Sequence, residues 1–82
     1  MRAVSRGARA DLVLFRDVIA RDGWTCRLCG EAIDAELARR NEQGATLDHI
    51  VPLARGGGHT LDNIQLAHYA CNRRKGARTV AA

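Results

Sequence analysis

Eighty-two residues allow one domain, with a core small enough to need a staple. Net charge is +4, from 13 basic and 9 acidic residues, and Phe15, Trp24 and Tyr69 are the only aromatics. Three cysteines argue against a closed disulfide framework, no apolar run is long enough for a membrane span, and the basic start lacks the apolar stretch of a secretory signal. Reduced thiols and a cytoplasmic setting fit best.

The excess positive charge sits at the two ends. Residues 1–10 carry Arg2, Arg6 and Arg9, residues 73–82 carry Arg73, Arg74, Lys75 and Arg78, and neither stretch holds an acid. An anionic polymer is the natural partner of such ends. The plainer reading is two solvated, flexible tails, 1–10 and 77–82.

In chain order, Asp11 to Ala20 has helical spacing, with Leu12, Phe15 and Ile19 on one face, widened by Leu14 and Val18. Gly23 stops it. Trp24, expected to pack over the next turn, leads into Cys26-Arg27-Leu28-Cys29-Gly30, a knuckle. Asp34 is placed to cap a short helix through Arg40. Leu47, Ile50 and Val51 favour a strand over Ala45 to Leu53, with Pro52 at its end or on an edge. Gly56-Gly57-Gly58 makes a flexible turn in which His59 is expected to be solvated, and Asp62 is placed to cap the turn before Asn63. Ile64 to Leu66 is a second strand, antiparallel to the first, and His68 to Lys75 is a helix ended by Gly76. The fold class is α+β in a single domain, 1–82.

Cys26-x2-Cys29 and His68-x2-Cys71 offer three sulfurs and one nitrogen in two pairs, a set zinc accepts in tetrahedral geometry. Four protein ligands leave no position for substrate, so the role is structural. The ion would close a loop of roughly forty residues, which is large leverage for a small core. A redox Cys26–Cys29 pair is the rival reading, but it lacks a βαβ context and leaves His68 and Cys71 idle.

Zinc does not explain Asp48, His49, Asn63 or Asn72. Neighbours on a strand point to opposite faces, so Asp48 and His49 can bracket one site only if the strand twists or ends there. Asn72 follows a zinc ligand, and Asp48 can approach it if the strands pack on the last helix. An Asp oxygen and an Asn oxygen with open positions suit magnesium or manganese, and a neutral histidine beside them can take a proton from water. Arginines on the flanking backbone complete the parts needed for metal-assisted phosphodiester hydrolysis.

Asp48-His49-Ile50-Val51-Pro52-Leu53, Gly56-Gly57, Asn63-Ile64-Gln65-Leu66 and Cys71-Asn72-Arg73-Arg74-Lys75-Gly76, in that order inside zinc pairs, resemble the HNH endonucleases from about Arg21 to Arg78. The resemblance implies a ββα-metal fold with a zinc knuckle and a preceding N-terminal helix. It implies Asp48 and Asn72 as ligands of a catalytic Mg2+, Mn2+ or other divalent ion, His49 as general base, and Asn63 as the residue that fixes the loop and orients His49. It also brings Arg73, Arg74 and Lys75, with Arg78 beyond them, to DNA phosphates. Two departures stand out: His68 replaces a cysteine common in relatives, and Gly76 stands where some carry a further histidine. The expected activity is DNA nicking with low sequence specificity, alone or within a phage or restriction assembly. The alternatives are a zinc-knuckle module that binds nucleic acid without cutting it, and a redox or protein-interaction module.

Overall fold

The computed structural model describes residues 9–38 and 41–79. Arg2, Arg6, most of the basic start, Arg40 and the last three residues lie outside them. Two helices and a two-stranded antiparallel sheet make up the fold: α1 (Phe15–Asp22), β1 (Ala45–His49), β2 (Ile64–His68) and α2 (Tyr69–Lys75). No helix among the described residues is long and apolar enough to cross a membrane.

The first helix starts at Phe15, not at Asp11. Residues 9–11 are drawn into extended pairing instead. Ala10 bridges His59 in parallel, the Asp11 N–H donates to the His59 carbonyl at 2.8 Å, and the His59 N–H donates to the Arg9 carbonyl at 2.7 Å. Leu12 is consequently 87% exposed and anchors nothing. Val18 is the fully buried contact of α1, flanked by Phe15 and Ile19. Gly23, at φ 66°, ends the helix as the spacing predicts.

Strand β2 is buried along its whole length and organises the core. One edge pairs with β1, in a register that sets Asp48 opposite Gln65 and His49 opposite Ile64. The other edge has no strand beside it among the described residues, yet its polar groups are matched. Asp22 accepts from the Leu66 N–H at 2.9 Å, Arg21 donates to the Ile64 and Leu61 carbonyls, and the Arg27 N–H donates to the Leu66 carbonyl at 2.8 Å. The end of α1 and the knuckle thus stand in for a third strand. The core beneath is Val18, Cys26, Ile33, Ala45, Ile64, Leu66, Ala67 and Cys71, so two of the cysteines belong to it. Trp24 is 37% exposed and packs edge-to-face on Phe15 at 6.2 Å.

Two expected elements are shorter or absent. Residues 34–38 form a turn, not a helix: Asp34 accepts from the Glu36 N–H at 2.9 Å, and this local bond competes with helix formation. Strand β1 stops at His49 rather than running to Leu53. The Ile50 N–H still donates to the Asn63 carbonyl at 2.8 Å, but the Asn63 N–H, which would return that bond, donates to the Thr60 carbonyl at 2.9 Å instead, and Asn63 Oδ1 then takes the Val51 N–H at 2.9 Å. Pro52 then precedes a 3-10 turn, Leu53–Arg55. A second 3-10 turn, Leu61–Asn63, leads into β2; within it Asp62 accepts from the Thr60 hydroxyl.

Helix α2 follows β2 directly. Its first amides are satisfied by the preceding loop, with Tyr69 N–H on the Gly44 carbonyl and Ala70 N–H on the Glu42 carbonyl, both at 2.9 Å. Gly76 ends it.

Candidate active site and metal centre

The four expected zinc ligands converge. Ligand atoms of Cys26, Cys29, His68 and Cys71 all lie within 4.8 Å of one another. The His68 ring is set for the task. Its Nε2 lies 3.2 Å from the Ala32 carbonyl, which can only accept, so the proton is on Nε2 and the Nδ1 lone pair is free. That Nδ1 lies 3.4 Å from Cys29 Sγ and 3.8 Å from Cys71 Sγ.

The sulfurs are prepared as well. Burial pushes the Cys26 thiol up, but the backbone N–H groups of His68 and Cys29, 3.3 and 3.4 Å from the sulfur, outweigh it and bring the pKa down to about 7. Burial, and then the neighbouring Cys26, push Cys71 up to about 11. Thiols crowded this closely resist ionising together, and a bound cation relieves the conflict. Arg74 adds a donor to Cys71 Sγ at 3.3 Å. The donor set fits zinc, which Cys26, Cys29, His68 Nδ1 and Cys71 can hold in a closed site.

A cleft of about 180 Å³ is lined by Asp48, His49 and Asn72 together with Pro52, Lys75 and Gly76. Asp48 and His49 share it because β1 ends between them and the loop. The Asp48 carboxylate is buried and accepts from Gln65 Nε2 and Lys75 Nζ, both at 2.9 Å. Lys75 Nζ also donates to the His49 carbonyl at 2.7 Å, so one ammonium ties both residues down. Asn72 Nδ2 reaches the Leu47 carbonyl only at 3.5 Å, a contact weak enough to leave the amide free to turn its oxygen to the cleft. Asp48 and Asn72 therefore line one open concavity, with both Asp48 oxygens engaged, Oδ2 by Gln65 and Oδ1 by Lys75; a hard divalent cation there would have to share them.

His49 is half-buried. Burial first, then His59, hold its imidazole below the ordinary range; Lys75 adds to this and Asp48 opposes it. Asn63 secures the loop around it by three side-chain bonds: Oδ1 from the Val51 N–H, and Nδ2 to the Val51 and Gly58 carbonyls at 3.0 and 2.8 Å. The Ile50 N–H donates to the Asn63 carbonyl at 2.8 Å. Gly57 is required here, because a Cβ at that position would lie 1.8 Å from the Val51 carbonyl oxygen.

The basic residues divide. Arg73, Arg74 and Arg78 are exposed. Arg73 pairs with Glu42 and lies over the Tyr69 ring, while Arg78 folds back on the Lys75 carbonyl. Lys75, expected on the phosphate-facing surface, is only 4% exposed. The expectation is corrected by its place four residues after Cys71 on α2, which turns it inward with the buried sulfur. That spacing was the available signal. His59, expected in solvent, instead places Nδ1 3.0 Å from His49 Nε2; nothing in the glycine-rich loop announces this contact.

A two-stranded antiparallel sheet and a helix around a cleft lined by Asp48 and His49, beside four residues that could hold zinc, have the make-up of a small α+β domain of the ββα kind. The family model described as HNH endonuclease matches residues 26–78, most of the chain, and the chain belongs to that family. Neither the curated proteins nor the solved structures yield a match.

Proposed function

We propose that this domain is a divalent-cation-dependent endonuclease that hydrolyses DNA phosphodiester bonds, nicking with low sequence specificity. The observation that carries the reading is the convergence of Asp48, His49 and Asn72 on one open cleft. Asp48 and Asn72 would hold Mg2+, Mn2+ or a related ion, which when bound polarises a phosphoryl oxygen and offsets the charge that develops there. His49, kept neutral, takes the proton from the attacking water. The water oxygen bonds to phosphorus, one P–O ester bond breaks, and the leaving oxygen takes a proton from solvent. Asn63 holds the loop so that the His49 ring does not swing. Arg74 and Arg78 line a separate concavity with Cys29 and Cys71 and would meet the flanking DNA backbone there, joined by Arg73 if it leaves Glu42. Low specificity would follow because no helix among the described residues is spare to read a major groove. The test is plasmid nicking by the zinc-loaded chain with Mg2+, Mn2+ or Ni2+, against His49→Ala of verified fold. Full activity in that variant would overturn the assignment.

One observation favours a second reading, a nucleic-acid-binding module that does not cut. Lys75 already neutralises Asp48, the carboxylate the cation needs. DNA binding without cleavage under every divalent ion would decide for it.

A further inference from the structure

The reading of His49 as the base, on which this inference rests, does not account for the ring next to it. His49 and His59 lie with centroids 5.2 Å apart and planes inclined by 45°, Nε2 of the first 3.0 Å from Nδ1 of the second. Between two neutral imidazoles such a contact holds one proton, so one nitrogen donates and the other accepts. If His59 donated, His49 would accept on Nε2 and carry its own proton on Nδ1, leaving no lone pair for water. If His49 donates from Nε2, its Nδ1 is free. Base chemistry is possible only in the second arrangement.

His59 is well placed to impose it. Its own N–H and carbonyl are held by Arg9 and Asp11, at 2.7 and 2.8 Å. The preceding Gly58 carbonyl is held by Asn63 Nδ2, and a Cβ on Gly58 would come within 3.0 Å of the Arg9 carbonyl oxygen. The backbone is thus clamped from both sides, by the segment before α1 and by Asn63. Histidines that must present one chosen nitrogen are commonly fixed by an acceptor on the other.

We propose that His59 is a positioning residue for the hydrolysis: its Nδ1 accepts from His49 Nε2–H, which fixes the ring and tautomer so that His49 Nδ1 takes the proton from water. The proton balance is closed. Water loses one proton to Nδ1 as its oxygen bonds to phosphorus, and the resulting imidazolium keeps its Nε2–H on His59 as a charge-assisted bond. The charged groups facing His49 are Asp48 on its own strand, Lys75 from α2 and His59 from the loop, and the assignment uses the hydrogen bond alone.

The test uses the full-length, zinc-loaded chain and two readouts. Nitrogen-15 NMR of the imidazoles, well above their titration range, should show both His49 and His59 protonated on Nε2. His59→Leu should turn His49 into a mixture of tautomers and lower kcat for plasmid nicking by roughly 10- to 100-fold, the usual scale for losing such a partner, with KM for DNA and the far-ultraviolet circular dichroism unchanged. The backbone bonds of residue 59 survive that change. His59→Asn, whose amide oxygen can stand where Nδ1 stands, should recover most of kcat. A His49 protonated on Nδ1 in the wild type overturns the proposal, as do Leu and Asn variants that nick alike. If the wild type fails to nick under every divalent ion tried, the nuclease reading fails, while the tautomer measurement still decides the His49–His59 coupling.

Discussion

Lys75 Nζ lies 2.9 Å from Asp48 Oδ1, with the two side chains 3% and 2% exposed, so the cleft floor is a buried ion pair. Taking away one partner of such a pair leaves a charge in a poor solvent, at a cost of about 3–5 kcal/mol. Lys75→Met should therefore lower Tm by several degrees per kcal/mol lost. It also frees the carboxylate, so millimolar Mn2+ should raise Tm more in the variant than in the wild type. Equal shifts in thermal scans of the two would show that Asp48 does not bind the ion.

Zinc removal should unfold the domain rather than merely silence it. Structural zinc in small domains binds with about 10–16 kcal/mol, comparable to or larger than the whole stability of about 5–15 kcal/mol expected of a domain. A strong chelator should release one zinc per chain with loss of circular dichroism. His68→Cys should retain the metal, and His68→Ala should not. A chelated chain that keeps its spectrum would contradict this.

Asn63→Ala removes three bonds, each worth about 1 kcal/mol net. The expected loss is roughly 3 kcal/mol in denaturant titration, with nicking lost more steeply than stability. Asn63→Asp keeps the acceptor for Val51 but loses both donations, and should fall between. Equal stability of the Ala and Asp variants would show that the donations do not matter.

Burial raises the Asp22 carboxyl, but Arg21 and the Leu66 N–H outweigh it, and its folded value lies below the usual carboxylate range. The sign follows: this contribution is present above the unfolded value and is lost as pH falls through the folded one. Asp22→Asn should flatten the acid side of the stability–pH curve. A curve unchanged in shape would count against the role of Asp22 at the free edge of β2.

If His49 is the base, its lowered value should set the acid limb of activity. A base must be neutral, so the rate should fall with pH only below the ordinary imidazole range. A limb at or above that range, in the pH profile of kcat/KM, would mean that His49 is not the titrating base.

Much of this was legible in the chain because it depends on spacing. The pairs Cys26–Cys29 and His68–Cys71 foretell a metal cluster, and Ile64 to Lys75 foretells a buried strand running into a helix. The extent of β1 was not legible, because the Asn63 N–H, fourteen residues after the strand's end, turns to the Thr60 carbonyl instead of completing the pair with Ile50. The start of α1 was hidden for the same kind of reason: residues 9–11 pair with His59, a non-local contact that outweighs the helical spacing of Leu12. In both cases a loop hydrogen bond prevailed over local propensity.

Because β2 and α2 are continuous, Ile64–Lys75 carries two of the zinc ligands, the amide of Asn72 and the counterion of Asp48 on one uninterrupted stretch. During synthesis, Cys26 and Cys29 leave the ribosome long before their partners, and Asp48 and His49 before Asn72. A metal cannot be enclosed, nor the cleft completed, until residues 64–75 have emerged. A nascent chain stopped before His68 should therefore bind zinc weakly and cut nothing, which arrested-chain nicking assays can check. The order of the ligands along the chain would keep both the cluster and the cleft incomplete until His68 to Lys75 have been made.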